Sequence, residues 1–123
     1  MLDYKIKRDV LLSILKASSN LFPDEFFCLL GGDKREKIID EFVVVPAEYL
    51  KDSVSINTWL MPIDPRVVGS VHSHPHKSPP SVTDLQNFAK FGEIHLITFP
   101  PFFLESFLAF DTKGRKLELK VVE

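Results

Sequence analysis

Ile6, Val10, Leu11, Ile14 and Leu15 recur at the three- and four-residue spacing of one helix face, while Lys5, Asp9, Ser13 and Lys16 fall on the other side. Residues 6–19 are therefore predicted as an amphipathic helix, which Pro23 keeps from running on. The next run, Glu25 to Leu30, is apolar except for its first residue, and Gly31-Gly32-Asp33-Lys34 is a turn signal, so a buried strand entering a hairpin is expected. Ile38–Val45 returns as a second strand ended by Pro46, and Val54 and Ile56 alternate with polar residues in a third around Ser53–Thr58. Val67–His74 is the fourth strand, Val82–Phe91 a helix closed by Gly92, and Glu93–Thr98 the fifth strand. Ser106–Phe110 and Lys116–Val122 form a hairpin through Asp111-Thr112-Lys113-Gly114. Strands interleaved with two helices imply an α/β layered domain. The 123 residues contain no repeat or linker and suffice for one domain, 1–123, whose core buries roughly two thirds of the unfolded surface.

The chemistry concentrates between Ser70 and Asp84. Residues i and i+2 of a strand share a face, so His72 and His74 at the end of the fourth strand can bind one ion together. Pro75, Pro79 and Pro80 enforce an irregular loop, and Ser81-x-x-Asp84 ahead of Leu85, Phe88 and Ala89 reads as a capped helix N-terminus. Asp84 then sits in the first helical turn, where the helix dipole favours its ionised form. Two imidazoles and a carboxylate are the three protein ligands that a catalytic zinc uses, the fourth position being left to water. Plainer roles exist for each: a lone surface histidine is common, a Ser-x-x-Asp pair is more often a cap alone, and His76 is either a bystander or, if the strand ran on, a competing ligand. His95 has no partner at a recognisable spacing, which makes it a core or edge histidine.

Composition narrows the partners. A net charge of -2 with scattered Lys and Arg gives no basic footprint for nucleic acid. Charges at Asp3, Lys5, Lys7, Arg8 and Asp9 interrupt the N-terminus, and no apolar run reaches the ~20 residues of a membrane span, so a cytoplasmic protein is expected. Cys28, the only cysteine, excludes an internal disulfide and a thiolate zinc site, and is expected as a buried core thiol. One Gln and three Asn are few, a weak sign of a thermophilic source. Trp59, Met61 and Phe99-Pro100-Pro101-Phe102-Phe103 are candidate partner surfaces, with core or hairpin packing the competing role. Glu25 is the remaining informative residue, because a carboxylate opening an apolar strand either lies at an exposed strand end or belongs to a site.

With Glu25, His72-Ser73-His74-Pro75, Ser81 and Asp84 in this order, the chain resembles the JAMM metalloproteases, also called the MPN-plus family, whose mark is a Glu well upstream of His-Ser/Thr-His-Pro and Ser-x-x-Asp. The resemblance implies a mixed, curved β-sheet with helices packed on both sides, a plan shared with the cytidine deaminases. It implies Zn2+ held by His72, His74 and Asp84, Glu25 as the general base, and Ser81 as a hydrogen-bond donor to the oxyanion. It also implies cleavage of isopeptide or peptide bonds after the C-terminus of ubiquitin-like modifiers, with conjugates of such a modifier as partner. Insertions that grip ubiquitin in eukaryotic relatives have no room here, and a flexible C-terminal tail could be held as an added strand. One departure is that six residues rather than seven separate His74 from Ser81. Two alternatives stand beside this reading: a non-catalytic scaffold of the same fold, against which all five key residues argue, and a hydrolase acting on sulfur-carrier protein adducts. A zinc deaminase needs His-x-Glu with Pro-Cys-x-x-Cys, which a single cysteine rules out.

Overall fold

Eight strands share one mixed sheet in the computed structural model, which describes residues 4–45 and 64–123 together with the backbone of residues 50–51 and 55–56. In chain order the elements are β1 (Lys5–Lys7), α1 (Arg8–Leu21), β2 (Phe27–Asp33), β3 (Ile38–Val44), β4 (Leu50–Lys51), β5 (Ser55–Ile56), β6 (Val67–Ser73), α2 (Val82–Phe88), β7 (Ile94–Thr98), β8 (Phe107–Phe110), β9 (Lys116–Leu117) and β10 (Lys120–Val122). In space the sheet runs β10-β1-β3-β2-β6-β7-β8-β9, and β4 pairs with β5 in a separate antiparallel ladder. The β10–β1, β1–β3 and β6–β7 pairs are parallel; the others are antiparallel.

β9 and β10 are separated by Glu118 and Leu119 alone, yet they occupy opposite ends of the strand order. A segment that short spans roughly 10 Å, so the two edges must approach each other and the sheet must curl. The curl wraps α1. Val10, Leu11, Ile14 and Leu15 on that helix pack with Ile6, Cys28, Leu30, Ile39, Val71, Leu96 and Ala109 from six strands. Each such aliphatic side chain contributes about 1.5–3 kcal/mol when fully buried. The second helix lies on the other face, as alternation along β7 shows: Ile94 and Leu96 point into the α1 cluster, whereas Ile97 meets Phe88 of α2 and His95 stacks on the same ring at 4.3 Å. The expected curved sheet with helices on both sides is what the chain forms.

Several boundaries differ from expectation, each for a local reason. The first helix begins at Arg8, because Ile6 belongs to β1 and pairs with both Ile39 and Val121. Gly31 and Gly32 lie inside β2, and the turn falls at 34–37. A Cβ on Gly32 would strike the Ile38 carbonyl, so the glycine serves close strand approach there. α2 ends at Phe88, after which Lys90 N–H and Phe91 N–H donate three residues back and Gly92 turns the chain at φ +85. The third strand expected at Ser53–Thr58 is seen only as β5 (Ser55–Ile56), with 53–54 and 57–58 outside the described residues. Lys116–Val122 is two strands with different partners, β9 on β8 and β10 on β1.

Gly69 faces Ile94 across the parallel β6–β7 ladder, and a Cβ there would run into the Ile94 carbonyl. Gly69→Ala is therefore expected to destabilise the domain by about 1–3 kcal/mol or more, the usual cost of overpacking, seen as a lower urea midpoint. An unchanged midpoint would show that the ladder yields at this point.

Candidate metal centre and active site

The C-terminal end of β6 and the N-terminus of α2 bring three donors together. His72 sits opposite Phe27 in the β2–β6 pair, its ring edge-on to that phenyl at 4.7 Å, and is wholly buried. His74 lies one residue past β6 but donates its backbone N–H to Thr98 O at 2.8 Å, which extends the ladder and keeps both imidazoles on one face. Asp84 is the third residue of α2, and its Oδ2 accepts from the Ser81 backbone N–H at 2.8 Å while Ser81 Oγ accepts from Asp84 N–H at 3.0 Å. The Ser-x-x-Asp pair is thus a capping box. It also aims the carboxylate: Oδ2 is 2.9 Å from His74 Nε2, and Oδ1 is 3.8 Å from His72 Nε2.

This donor set fits a zinc ion. Ligands about 2.0–2.1 Å from a tetrahedral zinc lie about 3.4 Å from one another, and the two separations fall on either side of that figure. The His74–Asp84 contact is a hydrogen-bond distance, so a shift of a few tenths of an ångström makes room. Burial holds the His72 imidazole down to about 4 against the pull of Asp84. Burial pushes the Asp84 carboxyl up, but the His74 hydrogen bond, the Ser81 N–H and the charge of the imidazoles outweigh it and bring it to about 2. A neutral imidazole and an ionised carboxylate are the forms that bind metal. His72 is also poorly satisfied: Nδ1 is buried without a hydrogen-bond partner among the described residues, and Nε2 is 3.4 Å from Asn87 Nδ2.

Glu25 precedes β2 rather than opening it, and is exposed. Ser73, between the two histidines, fixes its position: Ser73 Oγ accepts from Phe26 N–H at 2.6 Å, and Ser73 N–H donates to Phe26 O at 2.9 Å. Partial burial raises the Glu25 pKa, the His74 charge opposes this and the Asp84 charge adds to it, so the carboxyl shares the electrostatic field of both. Glu25, distant in sequence, joins His72, His74, Ser81 and Asp84 at one end of β6.

His76 lies exposed in the bend after Pro75, and it is the His76 carbonyl that is used, accepting from Ser78 Oγ at 3.3 Å. His76→Ala is accordingly expected to leave zinc content unchanged and activity little altered; loss of zinc in that variant, with His74→Ala retaining it, would make His76 the ligand instead. His95 is a core histidine. Ser70 Oγ lies 2.7 Å from its Nδ1 and the Gly92 carbonyl 3.2 Å from its Nε2, and burial pulls its pKa to about 4. Since the unfolded chain takes up the proton near pH 6.5 and the folded one only near 4, the unfolded state binds more protons in that window. Stability of the metal-free protein should fall from pH 6.5 to pH 4 by roughly 3 kcal/mol through this residue, with His72 acting in the same direction. A urea midpoint flat across that window would refute the assignment.

Cys28 is buried in the core, and burial pushes its thiol pKa well up, so it is inert as expected. Phe99 is buried with Lys77 Nζ 5.8 Å from its ring centroid, and Phe102 packs edge-on against Phe22 at 6.0 Å, so core and hairpin packing take most of the aromatic run; Phe103 remains 61% exposed. Trp59 and Met61 lie outside the described residues. Three polar residues of the site were not singled out from sequence: Ser73 as a clamp, Ser78 beside His74, and Asn87 beside His72. The i+3 spacing of Asn87 from Asp84, which puts both on one face of α2, was the available signal for that residue.

Comparison with known proteins agrees with this geometry. Residues 7–108 match the family model described as prokaryotic homologs of the JAB domain. A probable metalloprotease of Haloferax volcanii is 32% identical over 128 residues, covering 96% of this chain and 79% of that protein. A JAB1/MPN domain protein from Archaeoglobus fulgidus, known as a crystal structure, superposes with a TM-score of 0.76 at 38% identity, covering 97% of this chain and 99% of its own. A structure described as JAMM, a metalloprotease-like zinc site in the proteasome and signalosome, superposes with a TM-score of 0.77 at 36% identity over 98% and 99% of the two chains.

Proposed function

Because this chain belongs to the prokaryotic JAB-domain family, as a small JAMM-type metalloprotease, we propose that it hydrolyses the bond after the C-terminus of a ubiquitin-like modifier, with zinc held by His72, His74 and Asp84. The observation that carries this reading is the convergence of His72 Nε2, His74 Nε2 and the Asp84 carboxylate beside Glu25. Bound there, zinc supplies Lewis acidity, which polarises a carbonyl and makes water nucleophilic near neutral pH. Glu25 takes the proton from that water and returns it to the leaving amine, and its raised pKa suits both transfers. Ser81 Oγ accepts the Asp84 N–H and keeps its own hydrogen free, which it gives to the carbonyl oxygen as negative charge develops there.

For the substrate, the β4–β5 ladder supplies a second support. It is a two-stranded sheet lying beside α2, and a short ladder of this kind takes an extended tail as a further strand through main-chain hydrogen bonds. A flexible modifier C-terminus suits such a seat. Among the described residues no helix is long and apolar enough to cross a membrane. The decisive experiment incubates the zinc-loaded protein with modifier conjugates from its own cell and identifies products by mass spectrometry. Release of intact modifier ending at its C-terminal residue is expected; stable conjugates with stoichiometric zinc would overturn the substrate assignment.

A further inference from the structure

We infer that Ser78 is a positioning residue for His74, holding its imidazole so that Nε2 presents a lone pair toward Asp84. Ser78 lies in the proline-rich loop, four residues after the histidine it serves, and its Oγ is 2.7 Å from His74 Nδ1. The same oxygen is 3.3 Å from the His76 carbonyl, which can only accept. A hydroxyl has one hydrogen. Given to the His76 carbonyl, it leaves Ser78 Oγ to accept from His74 Nδ1–H, and a neutral imidazole protonated at Nδ1 carries its lone pair at Nε2. Nε2 faces Asp84 Oδ2 at 2.9 Å, so with its lone pair turned that way a bound cation would take the place of the proton the two atoms otherwise share. Asp84 Oδ2 is meanwhile fixed from behind by the Ser81 N–H. The relay His76 carbonyl, Ser78 hydroxyl, His74 ring therefore ends at the position where the metal would be shared.

Beside Ser78, Lys77 Nζ stands over the Phe99 ring, 5.8 Å from its centroid. The Ser78–His74 contact ties the six-residue loop back to the histidine at its start. It gives the loop one polar anchor to the ligand it follows. Outer partners of metal-binding histidines typically change metal affinity by about 10- to 100-fold when removed.

The inference rests on the proposed zinc site, and its test separates the two. Zinc affinity is measured by chelator competition for the native protein, Ser78→Ala and Ser78→Thr, with thermal stability of each metal-free protein alongside. Ser78→Ala is expected to bind zinc about 10- to 100-fold more weakly with little change in metal-free stability, and Ser78→Thr, which keeps the hydroxyl, to recover most of the loss. In the zinc-loaded native protein, nitrogen-15 spectra should show a protected His74 Nδ1–H resonance that exchanges rapidly with solvent in Ser78→Ala. Native zinc affinity in Ser78→Ala would overturn the role of Ser78 while leaving the zinc site intact. A native protein that binds no zinc would overturn both.

Discussion

Replacing His72, His74 or Asp84 is expected to remove zinc and to lower hydrolysis by about 10³-fold or more, since several kcal/mol of charge stabilisation goes with the metal. The Asp84 variant is best made as Asp84→Asn. Its amide oxygen can still accept the Ser81 N–H, so the capping box survives in part while the negative charge is lost. Asp84→Ala would also lose the carboxylate half of the capping box, leaving the Ser81 N–H without that acceptor, and would confound folding with ligation. His72→Ala carries its own complication, because the ring is wholly buried against Phe27 and its removal leaves a cavity. Metal analysis on folded protein decides the matter: full zinc occupancy with native affinity in all three variants would sink the ligand assignment.

Glu25→Gln should keep zinc and stability and lose hydrolysis by about 10²- to 10⁴-fold, the usual worth of a positioned acid–base group. The change is nearly isosteric at an exposed residue, so the fold has little reason to respond. The native pH profile gives an independent check. Burial raises the Glu25 pKa above its ordinary 4.5, with Asp84 adding and His74 opposing. Activity that needs the ionised base should therefore fall on acidification at a pH above the ordinary carboxylate range, and the Gln variant should lose that limb. Undiminished turnover in Glu25→Gln with one zinc per chain would remove Glu25 from the chemistry.

What could be seen in the amino-acid sequence was whatever a short local pattern decides. His72 and His74 lie on one face because the strand period is two, and Asp84 is aimed by a cap that Ser81 announces three residues earlier. Cys28 reads as a core thiol from its apolar run, and His95 as a core or edge histidine because no partner stands at a recognisable spacing. What could not be seen depended on residues distant in the chain. Ile6 sits four residues before Val10 and fits the helix period equally well, and a three-residue strand has no period of its own. The Gly31-Gly32 pair looks like a turn by composition, whereas the Ile38 carbonyl across the ladder is what requires a glycine. Ser73 and Ser78 gained their roles only once Phe26 and His74 were brought beside them.

The seam where β9 passes into β10 has a consequence for the order in which the molecule assembles. β1, near one end of the described chain, has β3 available on one side once Ile38 and Ile39 have been made. Its other neighbour is β10, so Ile6 meets Val121 only when almost the entire described chain has emerged from the ribosome. Until then the β1 side of the sheet stays open and α1 is only partly enclosed. Pairings so distant in the chain carry a large loop-closure cost and slow the final step to the millisecond-to-second range typical of folds rich in non-local contacts. A nascent chain halted before residue 120 would therefore hold the histidines of β6 in a sheet whose seam is not yet shut, with the β1 edge still open to a wrong partner strand.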